Sequence, residues 1–179
     1  MSKNAGKVFE EQFQKSVPVY CLLHRIKDSA QSFVKSDLAK FTRDNPCDFL
    51  MFDNDAQKLY CLELKSTKYK SMSFDDISQK ESQGKMIKKH QIESLLKFSR
   101  FSNVHAGLLL NFRDEDNDEE YTYYIDIQKF YRMTQLVGKQ SCNISDLKIA
   151  GAIEITGVKK RVNYLWDIDE FLKRENKEV

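Results

Sequence analysis

The 179-residue chain is 41% hydrophobic and 12% aromatic with only two prolines, which excludes a disordered or fibrous protein and suits one domain with a substantial core. Its net charge of +2 does not by itself mark a nucleic-acid or membrane binder, and no apolar run approaches the roughly 20 residues that span a bilayer. Cys21, Cys47, Cys61 and Cys142 form no C-x-x-C pair and have no histidine at zinc-like spacing, so neither a disulfide framework nor a zinc site is expected. The opening MSKNAGKVFEEQF lacks the apolar core of a secretory signal, and a cytoplasmic protein is expected.

Asn4 can cap a first helix, Ala5–Ser16, with Val8, Phe9 and Phe13 on its apolar stripe. Pro18 ends it, and VPVYCLLHRI reads as a buried strand. Residues 27–45 are polar and basic, with only Phe33, Val34, Leu38 and Phe41 as apolar anchors, and read as an excursion from the core. Two apolar strands follow over 45–66, joined by a turn at Asp53-Asn54-Asp55-Ala56. Residues 66–84 are a long polar connection, expected to be a mobile or functional loop.

A helix is predicted over 85–101, with Met86, Ile92, Leu95, Leu96 and Ser99 on one side. VHAGLLLNF is a strongly apolar strand, DEDNDEE a solvated turn, and YTYYI the returning strand. Asp126 should cap a helix over IQKFYRMTQL. A short helix at 144–148, strands AIEI and VNYLWDI, and a charged helix, DIDEFLKREN, complete the chain. This order predicts a mixed sheet with helices packed on it. Basic residues cluster in KSTKYK, KMIKK and KKR and acidic ones in RDEDNDEE, which allows one positive face and one negative edge, or simply solvated loops of either sign.

The pair of strands over 45–66 carries Asp48, Glu63 and Lys65 among apolar residues of both parities, so the charges interrupt runs that otherwise read as buried. Residues two apart in a strand share a face, which puts Glu63 and Lys65 together with Cys61 and Leu59, and Asp48 on the partner strand within reach in a suitable register. Two close carboxylates repel unless a cation or proton intervenes, and a neighbouring lysine can orient a water or stabilise a phosphate oxygen. Asp…Glu-x-Lys is therefore what metal-assisted phosphodiester hydrolysis asks for. At this charge density it also arises by chance on a hairpin with one wet face.

Written Pro46-Cys47-Asp48…Glu63-Leu64-Lys65, the hairpin resembles the core of the PD-(D/E)xK nuclease superfamily. More specifically, the chain is similar to the RecU family of Holliday junction resolvases of Gram-positive bacteria and their phages. NAGKVFEEQF resembles that family's opening helix, KKHQIESLLKF its His-Gln-Ile-Glu helix, AGLLLNF…YTYYIDIQKFY its next strands and helix, and KKRVNYLWDIDEFL its C-terminal segment. The resemblance implies a single α/β nuclease domain over 1–179, with a restriction-endonuclease-like mixed central sheet flanked by helices and a stalk protruding between the first two strands, here about 27–44.

It further implies that Asp48, Glu63 and the Leu64 carbonyl bind Mg²⁺, with Mn²⁺ as a substitute, and that Lys65 serves the attacking water. Glu10 would act through a water, with Glu11 the neighbour that could take its place, and Gln91 would support the site. The expected partners are a four-way DNA junction, a second copy of the chain and a recombinase, with no membrane. Lys27, Lys35, Lys40 and Arg43 in the stalk, and Lys68, Lys70, Lys88, Lys89, Lys159, Lys160 and Arg161 elsewhere, are the expected DNA contacts. His24, His90 and His105 are expected to be structural, and Trp166, Tyr123 and Tyr124 to be core or dimer contacts. The chain departs from the family in having Asn4-Ala5-Gly6 where Asn-Arg-Gly is usual, Pro46-Cys47 without a threonine before the Asp, and a longer segment between Lys65 and His90. A nuclease for another DNA structure and a non-cleaving junction-binding module remain open beside the resolvase.

Overall fold

A computed structural model describes residues 4–26, 45–80 and 82–177. Helix α1 spans Ala5–Ser16; the Asn4 side-chain oxygen accepts the Gly6 N–H at 3.0 Å, and Phe9 and Phe13 are buried. Strands β1 (Cys21–Arg25), β2 (Phe49–Asp53) and β3 (Lys58–Thr67) form an antiparallel meander with Leu23 opposite Met51 and Met51 opposite Tyr60. The Asp53 carboxylate accepts the N–H groups of Asp55 and Ala56 at 3.0 and 3.1 Å, so the turn begins one residue later than expected and closes through a left-handed Gln57. The first strand, read as buried, is an edge strand with Leu22 70% exposed. Its apolar sequence did not disclose that β2 is its single neighbour among the described residues.

Residues 66–84, expected as a loop, contain β4 (Ser71–Ser73), which pairs with β7 (Ser141–Asn143), and Met72 and Phe74 are buried. Phe74 bridges Ile87, whose N–H and carbonyl bond Ser73 and Asp75. Helix α2 is therefore shorter than expected, Lys89–Phe98, because Ile87 is held in its bridge to Phe74 and the chain becomes helical only after it. Strands β5 (Val104–Asp114) and β6 (Glu119–Asp126) form a long hairpin, and α3 (Ile127–Leu136) begins where the Asp126 carboxylate accepts the Gln128 and Lys129 N–H groups. Helix α4 (Ile144–Ile149), β8 (Ile153–Ile155), the hairpin of β9 (Gly157–Lys160) and β10 (Asn163–Trp166), and α5 (Ile168–Glu175) follow.

The central sheet has the order β1-β2-β3-β5-β6-β8, antiparallel except for β3 and β5, which run parallel and are joined through α2. Its two faces bury separate cores. Cys61, Ala106, Leu108, Leu110 and Ile125 pack under α2, α3 and α4; Tyr60, Leu62, Leu64, Leu109 and Tyr124 pack under α1 and α5. The chain thus forms the mixed central sheet flanked by helices expected from its sequence. Trp166, Tyr123 and Tyr124 are core residues, and all four cysteines are free thiols. No helix among the described residues is long and apolar enough to cross a membrane.

The strand directions bring one end of the sheet together. The C-terminal ends of β1, β3 and β5 and the N-terminal ends of β2 and β6 lie side by side. Arg25, Asp48, residues 63–67, residues 111–114 and Glu119 therefore share that end.

Candidate active site

The register Phe49↔Leu62 is the last between β2 and β3, so from Glu63 onward β3 keeps only β5 as a neighbouring strand among the described residues. Asp48 sits at this step. Its N–H donates to the Leu62 carbonyl at 3.1 Å and its carbonyl accepts the Ile26 N–H at 2.8 Å, which anchors it to both flanking strands. Its Oδ2 accepts the Leu64 N–H at 2.7 Å, so the carboxylate substitutes for the ladder partner that β2 no longer supplies. A strand residue's N–H and C=O point to the same edge, and the Leu64 carbonyl consequently opens toward Asp48.

Glu63 is buried, 3% exposed, on the face that packs under α2. Its Oε1 takes the Lys65 ammonium at 2.8 Å and the Gln91 side-chain N–H. The other end of the Gln91 amide accepts the Lys88 N–H at 3.0 Å, at the N-terminus of α2. One side chain thus ties the start of the crossover helix to the buried carboxylate. Burial pushes the Asp48 carboxyl up to about 7; the charge of Glu63 adds to the rise, which the Leu64 N–H and Lys65 only partly offset. Glu10, half-buried on α1, also raises it and pairs through Oε2 with Arg25 Nε at 2.8 Å. Glu11 is exposed on the next position.

No protein-family model matches the chain. It is 32% identical over 190 residues to the SPbeta prophage-derived uncharacterized protein YotM of Bacillus subtilis (strain 168), a match covering 97% of this chain and 90% of YotM. The chain belongs to the YotM family. Among solved structures, Archaeoglobus fulgidus Hjc, a Holliday junction resolvase from an archaeal hyperthermophile, matches over 83% of this chain and 90% of Hjc. With a TM-score of 0.45 and 13% identity, that likeness carries no argument about activity.

In this YotM relative the residues present fit a hard divalent cation. Asp48 and Glu63 are carboxylates whose mutual repulsion a cation relieves, and the Leu64 carbonyl adds a third oxygen. Asp48 Oδ1 and Glu63 Oε2 are the oxygens left over by the contacts above. Among the described residues no group of three or more His, Cys, Asp or Glu is placed to hold a metal. Two carboxylates suit Mg²⁺, which keeps several waters and takes the rest of its shell from substrate phosphate.

Of the expected DNA contacts, Lys27, Lys35, Lys40 and Arg43 lie outside the described residues. Lys68 and Lys70 are exposed just past the end of β3. Lys88 is exposed, whereas Lys89 is half-buried and donates to the Gln79 carbonyl at 2.8 Å. Lys160 and Arg161 are exposed at the β9–β10 turn, while Lys159 pairs with Asp118. The separation of positive face from negative edge is not found at these places: the 113–120 run meets Lys159, and the charge of Lys70 reaches Asp114. Arg25 joins the site as a residue the sequence marks only by a lone cation at the end of an apolar strand; the register that sets it opposite Phe49, next to Asp48, belongs to the fold. His105 stacks on Tyr60 at 5.2 Å and reaches Glu175 at 3.2 Å, at the other end of β5.

Proposed function

We propose that this protein is a metal-dependent, structure-selective DNA endonuclease of the RecU type that cuts four-way junctions as a homodimer. The observation that carries the reading is the buried Glu63 held by Lys65 and Gln91 beside an Asp48 whose carboxyl is raised to about 7. A carboxyl raised as far as that of Asp48, beside a second, buried carboxylate at the end of a sheet, is the kind of arrangement that clusters at functional sites. A Mg²⁺ or Mn²⁺ ion bound there would supply charge neutralisation and Lewis acidity toward the phosphate.

The chain's own residues do the remainder. Asp48 and Glu63, with the Leu64 carbonyl, would hold the cation. Lys65 stands 2.8 Å from Glu63 Oε1, placed to orient the attacking water and to balance negative charge at the phosphate. Gln91 is a positioning residue that fixes the rotamer of Glu63, and Arg25 does the same for Glu10, which acts through a water. Exposed Lys68, Lys70, Lys88, Lys160 and Arg161 contact the DNA backbone, with recognition by shape rather than by base edges.

Purified protein with Mg²⁺, given a four-way junction, a flap and a linear duplex of matched sequence, tests this reading. Paired symmetric nicks in the junction alone are expected. Equal cutting of all three keeps a nuclease but removes the resolvase. Binding without cutting, in Mg²⁺ and again with Mn²⁺ in its place, leaves a junction-binding module.

A further inference from the structure

Beyond Lys65 the strand β3 runs on to Thr67 and ends in the turn Lys68-Tyr69-Lys70. Thr67 Oγ1 accepts the Tyr69 N–H at 3.1 Å and holds the turn, yet the Tyr69 side chain is left 67% exposed. The Lys68 ammonium stands 5.9 Å from the Tyr69 ring centroid. Facing this turn are Arg113, Tyr121 and Asn143, and Asp114, Glu115 and Asp116 also line the resulting cleft of about 520 Å³, so that Lys68 and Lys70 on the side of the turn are its candidates for phosphate contact. Arg113 donates its Nε–H to Ser66 Oγ at 3.2 Å, and its strand pairs with β3 as far as Thr67, so the cleft wall adjoins the strand bearing Lys65.

The chemistry of this cleft is specific. An exposed aromatic ring between two lysines offers a π-face and phosphate contacts at once, the combination that single-stranded nucleic acid uses. The volume falls within the range of small-molecule sites and suits a base with its sugar. Fully paired duplex cannot use it, because its bases are already stacked. Tyr69 follows Lys65 by four residues, two of them beyond the end of β3, so the usual strand rise puts it at most about 13 Å away. That is at most about four nucleotides along a B-form strand.

We propose that the cleft at Tyr69 is a subsite for one unpaired nucleotide of the substrate, its base stacked on Tyr69 and its phosphates held by Lys68 and Lys70. The inference rests on the nuclease reading for its substrate class, and it concerns how DNA is held next to the site rather than which DNA is cut.

The test measures binding in EDTA, so that no cleavage is needed. The probes are a duplex carrying a short single-stranded flap with 2-aminopurine in the flap, and the same duplex fully paired. Wild-type protein is expected to quench the 2-aminopurine. Tyr69→Ala should lose the quench and weaken flap binding about ten-fold, leaving paired-duplex binding unchanged, while Tyr69→Phe keeps both. Flap binding undiminished in Tyr69→Ala, or an equal loss on flap and paired duplex, overturns the subsite even if the wild type cuts DNA. Selective loss of flap binding in Tyr69→Ala supports the subsite even if the wild type never cuts, and that second result removes only the nuclease reading.

Discussion

Replacing Asp48 with asparagine should make the metal-free protein more stable at alkaline pH. The Asp48 carboxyl is raised from 3.8 to about 7, first by burial and then by the charge of Glu63. A folded-state value above the unfolded one means that the native state binds the proton more tightly. Stability is therefore lost as pH climbs from about 4 to about 7 and stays low above that. Three pKa units correspond to about 4 kcal/mol at most, and about 2–4 kcal/mol is a fair expectation for one group. The side-chain amide of the Asp48→Asn variant keeps an oxygen for the Leu64 N–H, so the hydrogen bond at 2.7 Å survives while the charge disappears. For a domain of this size the variant should melt about 5–10 °C higher at pH 8 in EDTA. Below about pH 4 the difference should vanish. Thermal denaturation followed by circular dichroism across that range, with EDTA throughout, measures it. A variant no more stable than wild type at pH 8, or a difference that does not change with pH, would refute the reasoning.

Gln91→Ala removes both the bond to buried Glu63 and the acceptor for the Lys88 N–H. It should cost about 2–3 kcal/mol in chemical denaturation, the sum expected for a charge-assisted bond and a helix cap. Gly107→Ala would bring a Cβ within 2.6 Å of the Ile125 carbonyl oxygen in the middle of the sheet. A loss of about 1–3 kcal/mol or more is expected from such overpacking, and a melting temperature equal to wild type would contradict the register of β5 and β6. Replacing Lys160 and Arg161 together with alanine should flatten the slope of log K against log salt for duplex binding by about 2, one for each phosphate no longer neutralised. An unchanged slope would take the β9–β10 turn out of the DNA interface.

The sequence made the local features legible and left the long-range ones hidden. Helices α1 and α3 begin where Asn4 and Asp126 predicted, because a cap acts within three residues of itself. Glu63 and Lys65 share a face as strand periodicity required, and Asp48 meets them because the hairpin fixes their register. The pairing of β4 with β7 joins Ser71 to Asn143 across more than a third of the chain, and nothing near either strand announces it. That pairing and the bridge from Phe74 to Ile87 turned a stretch read as loop into structure and shortened α2. The exposure of Leu22 depends on strand order, which is likewise a property of the whole fold. Charge clusters told least, since Lys159 and Asp118 belong to separate runs and meet in space.

Cleavage of a synthetic four-way junction by wild-type protein and by Asp48→Asn, with Mg²⁺ and with EDTA at fixed salt, is the most direct measure of the site. The account predicts nicking by the wild type only when Mg²⁺ is present, and none by Asp48→Asn although it binds the junction. Nicking that persists in EDTA, or that Asp48→Asn carries out as well as the wild type, would contradict it.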